Sequence, residues 1–417
     1  MRSVSLYACL LIMLLLWSTG AVAASQASQI FNANQMHPDI EANKNRTKDM
    51  YLNPQFRYAG PSATDESRTS SQRLDYSAVS MDVGDLTGDG RNEVVVLGTS
   101  AINIYRFDKK QMILLASHNL PKANRTLLVR IINRNIIVNS VDTKGLAKTS
   151  LFAFKGNAIV PVLENQRWFL NVVKFGPSFT PTLIGQKSTA NKIFGPGVYK
   201  MQINDGSLME IERPSLPASA NVFNFAHLPG NGSREGDKIV IITDKERLRT
   251  HTLAGGRVAE TDDVYSGAAI GFEMPDVVAG FGRDSLTQGD TYYLPMRMMP
   301  MDLEGDGNFE LLVNKPISTA ASIFDRYRFY PQSEIHSLFW DGVGLNLQWK
   351  TRRIKGSTVD FTVADADNNG VNDLVVCINT HPGAPGADSR RAIVLLYPLD
   401  TSPVDTSTAP YVNHANE

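Results

Sequence analysis

Between about residue 71 and about residue 400, short runs of Val, Ile, Leu, Phe and Tyr alternate with clusters of Gly, Asn, Asp and Pro. No stretch holds a helical period for long, so the pattern predicts an all-β chain of many short strands. Five segments read as strand, turn, strand: residues 104–115, 151–163, 198–209, 248–258 and 338–349. Three have tips carrying the residues that tolerate the backbone of tight hairpin turns, at Asn204-Asp205-Gly206, Gly255-Gly256 and Asp341-Gly342. Another pair of strands precedes each hairpin, for instance at 93–97 and 238–243.

Four strands per unit at a spacing of about 45 residues is the arithmetic of propeller blades. The expected fold is therefore a β-propeller of about six four-stranded blades, with seven still open and an insertion over 266–292 ahead of the fifth unit. The last unit is one strand short. Residues 392–397 form its third strand, and the chain then turns polar at Thr401-Ser402-Pro403. Residues 71–76 precede the first unit as 351–355 precede the last, so they are expected to fill the vacant outer place. A ring closed by strands from both ends leaves fewer open edges.

Three turns share a stricter pattern. Asp85-Leu86-Thr87-Gly88-Asp89-Gly90-Arg91-Asn92-Glu93 leads into Val94-Val95-Val96. Asp302-Leu303-Glu304-Gly305-Asp306-Gly307-Asn308-Phe309-Glu310 leads into Leu311-Leu312-Val313, and Asp365-Ala366-Asp367-Asn368-Asn369-Gly370-Val371-Asn372-Asp373 into Leu374-Val375-Val376. Oxygen-bearing side chains stand at positions 1, 3, 5 and 9, with Gly at position 6. Calcium takes roughly six to eight oxygen ligands, and a tight loop can aim alternate side chains at one centre. Glycine at position 6 permits the sharp turn. Position 7 (Arg91, Asn308, Val371) is expected to offer its backbone carbonyl. Helices are absent on either side and position 12 is a strand valine, so these are not EF-hands. The plainer alternative is hairpin turns on a solvated face. Three loops in register favour metal, about three calcium sites, filling in the order third, second, first because Asp365, Asp367, Asn369 and Asp373 are all short. The segment 228–237 resembles a fourth such loop that has lost its ligands.

Composition changes this picture little. Lys plus Arg number 41 against 42 for Asp plus Glu, so no bulk charge recruits nucleic acid. The N-terminus reads as a signal peptide over 1–23, with Met1-Arg2, an apolar run over 6–17 holding Cys9, and Ala21-Val22-Ala23. That run is shorter than the ~20 residues a membrane span needs, so no transmembrane segment is expected in the mature chain. Residues 24–70 are a polar, loosely ordered leader, 71–400 the propeller and 401–417 a disordered tail. Cys377, alone once Cys9 is removed, has the flanks of a buried strand and is read as a small hydrophobe.

The three acidic loops and their aliphatic triplets resemble the FG-GAP and VCBS repeat families, whose blades carry calcium loops of this design. The resemblance implies calcium at the residues named above, with Asp85, Asp302 and Asp365 opening each loop, and a bacterial, exported protein. The second, third and fourth units keep the strands without the acids. No catalytic motif stands out. His118, His227 and His336 fall in or near strands as structural histidines. The expected role is a calcium-stabilised module, periplasmic or extracellular, binding a protein or carbohydrate partner. The alternative is an envelope enzyme acting on polysaccharide, with residues on the 266–292 insertion, a central pocket, or acids such as Asp262 and Asp263.

Overall fold

The computed structural model describes residues 68–399 except 190–191, 205, 231–235, 274–290, 304, 306, 318–327, 329 and 381–389. The expected signal peptide, most of the leader and the tail lie outside the described residues. Every regular element among those described is a strand, and no helix there is long and apolar enough to cross a membrane.

The strands form six antiparallel blades, which decides between six and seven. Blade 1 runs Ala78–Gly84, Glu93–Gly98, Ala101–Asp108 and Gln111–Asn119, paired in chain order. Blades 2 to 5 repeat that order from first strands Arg125–Ile132, Trp168–Phe175, Phe225–Leu228 and Met299–Met301. Blade 6 uses Ser357–Ala364, Asp373–Asn379 and Ala392–Pro398, and takes its fourth strand from the other end of the chain. Thr69 lies opposite Leu396 and Ser70 opposite Leu395. Beyond them the N–H groups of Ser71 and Leu74 donate to the carbonyls of Val394 and Ala392. The ring closes as expected, with the ladder starting two residues ahead of the anticipated stretch.

The aliphatic triplets after the acidic loops are second strands. Val94, Val95, Val96, Leu374, Val375 and Val376 are wholly buried. They read as continuous and not alternating apolar runs because each blade is packed on both faces: Val94 and Val96 join a core shared with Val375 and Cys377, while Val95 joins one shared with Val129 and Val138. Burying one such side chain contributes roughly 1.5–3 kcal/mol. Cys377 is buried in that core as a hydrophobe would be.

The 266–292 insertion holds a two-stranded ribbon, Gly271–Glu273 with Thr291–Tyr293. Phe272 and Tyr292 pack among Phe169, Phe194 and Phe223, with the Phe194 and Tyr292 ring centres 5.0 Å apart. This aromatic knot anchors the insertion to the first strand of blade 3, to the link between its second and third strands and to the segment that enters blade 4.

Candidate metal centres

All three acidic loops lie between the first and second strands of their blades, in blades 1, 5 and 6. One backbone design recurs. Gly90, Gly307 and Gly370 have φ of +80°, +84° and +90°, a region that side chains rarely enter. The N–H of each donates to the position 1 carboxylate, at 2.9 Å to Asp85, Asp302 and Asp365 alike. The position 9 carboxylate turns back to accept the N–H of position 2: Leu86 to Glu93 at 3.0 Å, Leu303 to Glu310 at 3.0 Å and Ala366 to Asp373 at 3.3 Å. That bond occupies one oxygen of each position 9 acid. The fate of the other separates the loops.

In blade 6 it has no partner. Asp373 is 1% exposed and its Oδ1 makes no hydrogen bond. Asp365, Asp367 and Asp373 each offer an oxygen, all within 4.8 Å of one another. Burial, then Asp367 and Asp365, push the Asp373 carboxyl up to about 7. Burial and Asp365 also raise Asp367. A buried, unpaired carboxylate oxygen among like charges is costly, and a divalent cation is the group that would relieve it. Asn369 sits beside Asp367, its amide nitrogen 3.1 Å from Oδ2. Asp365, Asp367, Asn369, Asp373 and the Val371 carbonyl therefore fit calcium, by side-chain chemistry and by the orphaned oxygen.

In blade 1 the second oxygen is taken. Glu93 is wholly buried, and Arg106 grips its Oε1 through both Nε, at 3.1 Å, and Nη2. The same Nη2 lies 3.6 Å from Asp89 Oδ2. Burial opposes ionisation of Asp85, but the N–H groups of Gly88, Gly90 and Thr87 hold its carboxyl below the usual range. The Arg91 N–H, the Thr87 hydroxyl and Arg106 lower Asp89. In blade 6, Asp365 and Asp367 also accept N–H groups, from Asn369 and Gly370 and from the Asn369 amide, so the contrast lies in the position 9 acid, paired through both oxygens in Glu93 and through one in Asp373.

In blade 5, Asp302, Asn308 and Glu310 stand at the expected places, while Glu304 and Asp306 lie outside the described residues. Blade 4 departs from the expectation that its loop kept no ligand. Asp237 occupies the position 9 place and accepts the Gly230 N–H at 2.8 Å. Its other oxygen meets His227 Nε2 at 2.9 Å. Because the Gly176 N–H donates to His227 Nδ1, the neutral ring carries its proton on Nε2 and donates to Asp237.

The blade 1 and blade 6 loops also touch. The Asn92 N–H donates to Asn368 Oδ1 at 2.6 Å, and the Asn92 amide donates to the Asp365 carbonyl at 2.8 Å. The Asn368 amide returns a bond to the Asn92 carbonyl at 3.2 Å.

A second polar cluster, absent from the sequence reading, lies on the first strands. Asp360 of blade 6 is 2% exposed and accepts from Ser80 (2.6 Å), Arg130 (2.9 Å) and Arg297 (2.8 Å). Arg297 also binds Asp82 at 3.0 Å. Arg130 reaches Asn171 Oδ1 at 3.3 Å, and Asn171 donates to the Val222 carbonyl at 2.9 Å. Arg297 and Val222 lie on the segments that lead into the first strands of blades 5 and 4, at Met299 and Phe225, so one hydrogen-bonded chain reaches all six blades or the segments entering them. Burial alone would raise Asp360, yet Arg130 and Arg297 hold it down at about 2. Two acids and two arginines neutralise one another there. A cavity of about 280 Å³ lies elsewhere, between Thr250 and Glu260 of blade 4 and the Asp341 to Asn346 turn of blade 5.

No protein-family model matches the chain, and no curated protein matches it. Among solved structures it is similar to BBS1N in complex with ARL6DN, at 12% identity, covering 79% of this chain and 95% of that one, with a TM-score of 0.39. It is also similar to the C-terminal WD40 domain of Sif2 (11%, 78% and 96%, 0.36) and to a glucose dehydrogenase (9%, 79% and 98%, 0.39). The six-bladed fold stands on its own strand order.

Proposed function

We propose that this chain is an exported, calcium-stapled propeller of the FG-GAP and VCBS type that serves as an interaction module for a protein or carbohydrate partner. The observation that carries the metal reading is the buried, partnerless Oδ1 of Asp373 beside Asp365 and Asp367. Asp365, Asp367, Asn369, Asp373 and the Val371 carbonyl hold the ion in blade 6. By the motif alone, Asp302, Glu304, Asp306, Glu310 and the Asn308 carbonyl are the corresponding set in blade 5. The ion offsets carboxylate repulsion and fixes the turn from which the second strand departs.

The enzyme alternative asked for a deep central pocket with converging acids or an Arg/His cluster. Asp82 and Asp360 do converge on Arg130 and Arg297, but the four groups are spent on pairing with one another and the cavity described lies elsewhere, so the interaction reading is preferred. Calcium titration of the full chain by calorimetry, with melting followed with and without chelator, tests the metal. An unchanged melt and no binding heat overturn it. N-terminal sequencing of the mature protein from an envelope fraction tests export, with cleavage after Ala23 expected. A glycan array and cross-linking in the native envelope test the partner, with saturable capture of one glycan class or one protein expected.

A further inference from the structure

We infer that Arg106 is the resident cation of the blade 1 loop, so that this loop takes no calcium although it carries the motif. The inference rests on the calcium reading of blade 6 for its contrast, but its own evidence lies in blade 1.

Glu93 has two oxygens and both are committed, one to the Leu86 N–H and one to the forked guanidinium of Arg106. An ion at the loop centre would need the second oxygen and would face a positive charge within reach of both Glu93 and Asp89. Arg106 is held there by the sheet. Val94 lies opposite Tyr105 in the ladder between the second and third strands, and one further step places Arg106 opposite Glu93, where side chains share a face. A tethered cation gives up no translational freedom on binding, which a free ion must. Guanidinium also matches a carboxylate better than any other side chain.

The same cross-strand place differs in the other loops. Opposite Asp373 stands Pro398, which has neither charge nor side-chain donor. One step beyond the Leu311 to Leu338 pair, Phe339 comes opposite Glu310. Blade 4 offers an independent instance of internal satisfaction, since His227 supplies the donor to Asp237 that a metal would otherwise replace. A donor from a neighbouring strand thus closes the last acid in two of these loops, Arg106 from the third strand in blade 1 and His227 from the first in blade 4.

The test is calcium titration of the full chain by calorimetry, using the metal alone. With Arg106→Gln, one more equivalent should bind than in wild type, and calcium should raise the melting temperature of R106Q by more than it raises that of wild type. An unchanged stoichiometry in R106Q overturns the inference. Glu93→Gln in the otherwise natural chain gives a second arm that does not depend on R106Q folding. It should leave the number of bound ions unchanged, and loss of one equivalent overturns the inference. Asp373→Asn separates the two readings: if wild type and D373N bind equally, the blade 6 assignment fails, while the gain in R106Q still decides the role of Arg106.

Discussion

The turns of blades 1 and 6 meet across the seam of the ring, joined by three hydrogen bonds between Asn92, Asn368 and Asp365. Their backbones follow one plan, with the position 6 glycine bound to the position 1 carboxylate in both. They differ in what stands on the neighbouring strand. Blade 1 brings an arginine to its last acid, whereas blade 6 brings a proline and leaves an oxygen bare. A loop motif therefore specifies a shape and a cluster of negative charge. Whether that charge recruits an ion is decided a strand away.

Four measurements would break or sharpen this contrast. The largest effect is expected from calcium at blade 6: ion at about a hundred times its dissociation constant stabilises by roughly 2.7 kcal/mol, or about 4 °C in a domain of this size. Chelator should remove that gain from wild type, and D373N should gain less from calcium than wild type does, keeping only what blade 5 contributes. Next, Glu93→Gln should lower stability by about 1–3 kcal/mol by breaking a buried charged pair, equally in calcium and in chelator; a loss confined to calcium would place an ion in blade 1. Third comes pH. Asp373, at about 7 in the calcium-free fold, lies above the ~3.9 of an unfolded aspartate. It takes up a proton on folding, so chelated protein should gain roughly 1–2 kcal/mol as pH falls from about 7.5 to about 5.5, a gain that D373N lacks in chemical denaturation. Smallest, Asn92→Ala should cost about 1 kcal/mol and show as a small drop in melting temperature.

Much of the scaffold was legible in the residues. Hairpin turns, the spacing of apolar runs and the missing last strand led to a ring closed by its two ends, because each is local or is a simple count. The metal loops were legible as loops. Arg106 was within reach of the same reasoning, since pairing Glu93–Gly98 with Ala101–Asp108 around the turn at 99–100 places it opposite Glu93, but motif spacing looks along the chain and not across the ladder. The retained acid of blade 4 was hidden because His227 and Asp237 flank a turn whose other positions had drifted. The axial cluster was out of reach altogether. Asp82, Arg130, Arg297 and Asp360 each stand alone among apolar or turn residues, come from four blades, and acquire meaning only when the ring sets those first strands around one centre.

The pairing of Thr69 and Ser70 with Leu395 and Leu396 also imposes an order in time. During synthesis the N-terminal segment emerges first and the strand it completes emerges more than three hundred residues later. The final blade therefore cannot be assembled until residues 392–398 have been made, and until then Thr69 and Ser70 have no strand to pair with. Closing so long a loop is slow. An unfinished ring presents an open strand edge to any other chain nearby, so association between unfinished chains competes with closure over that interval.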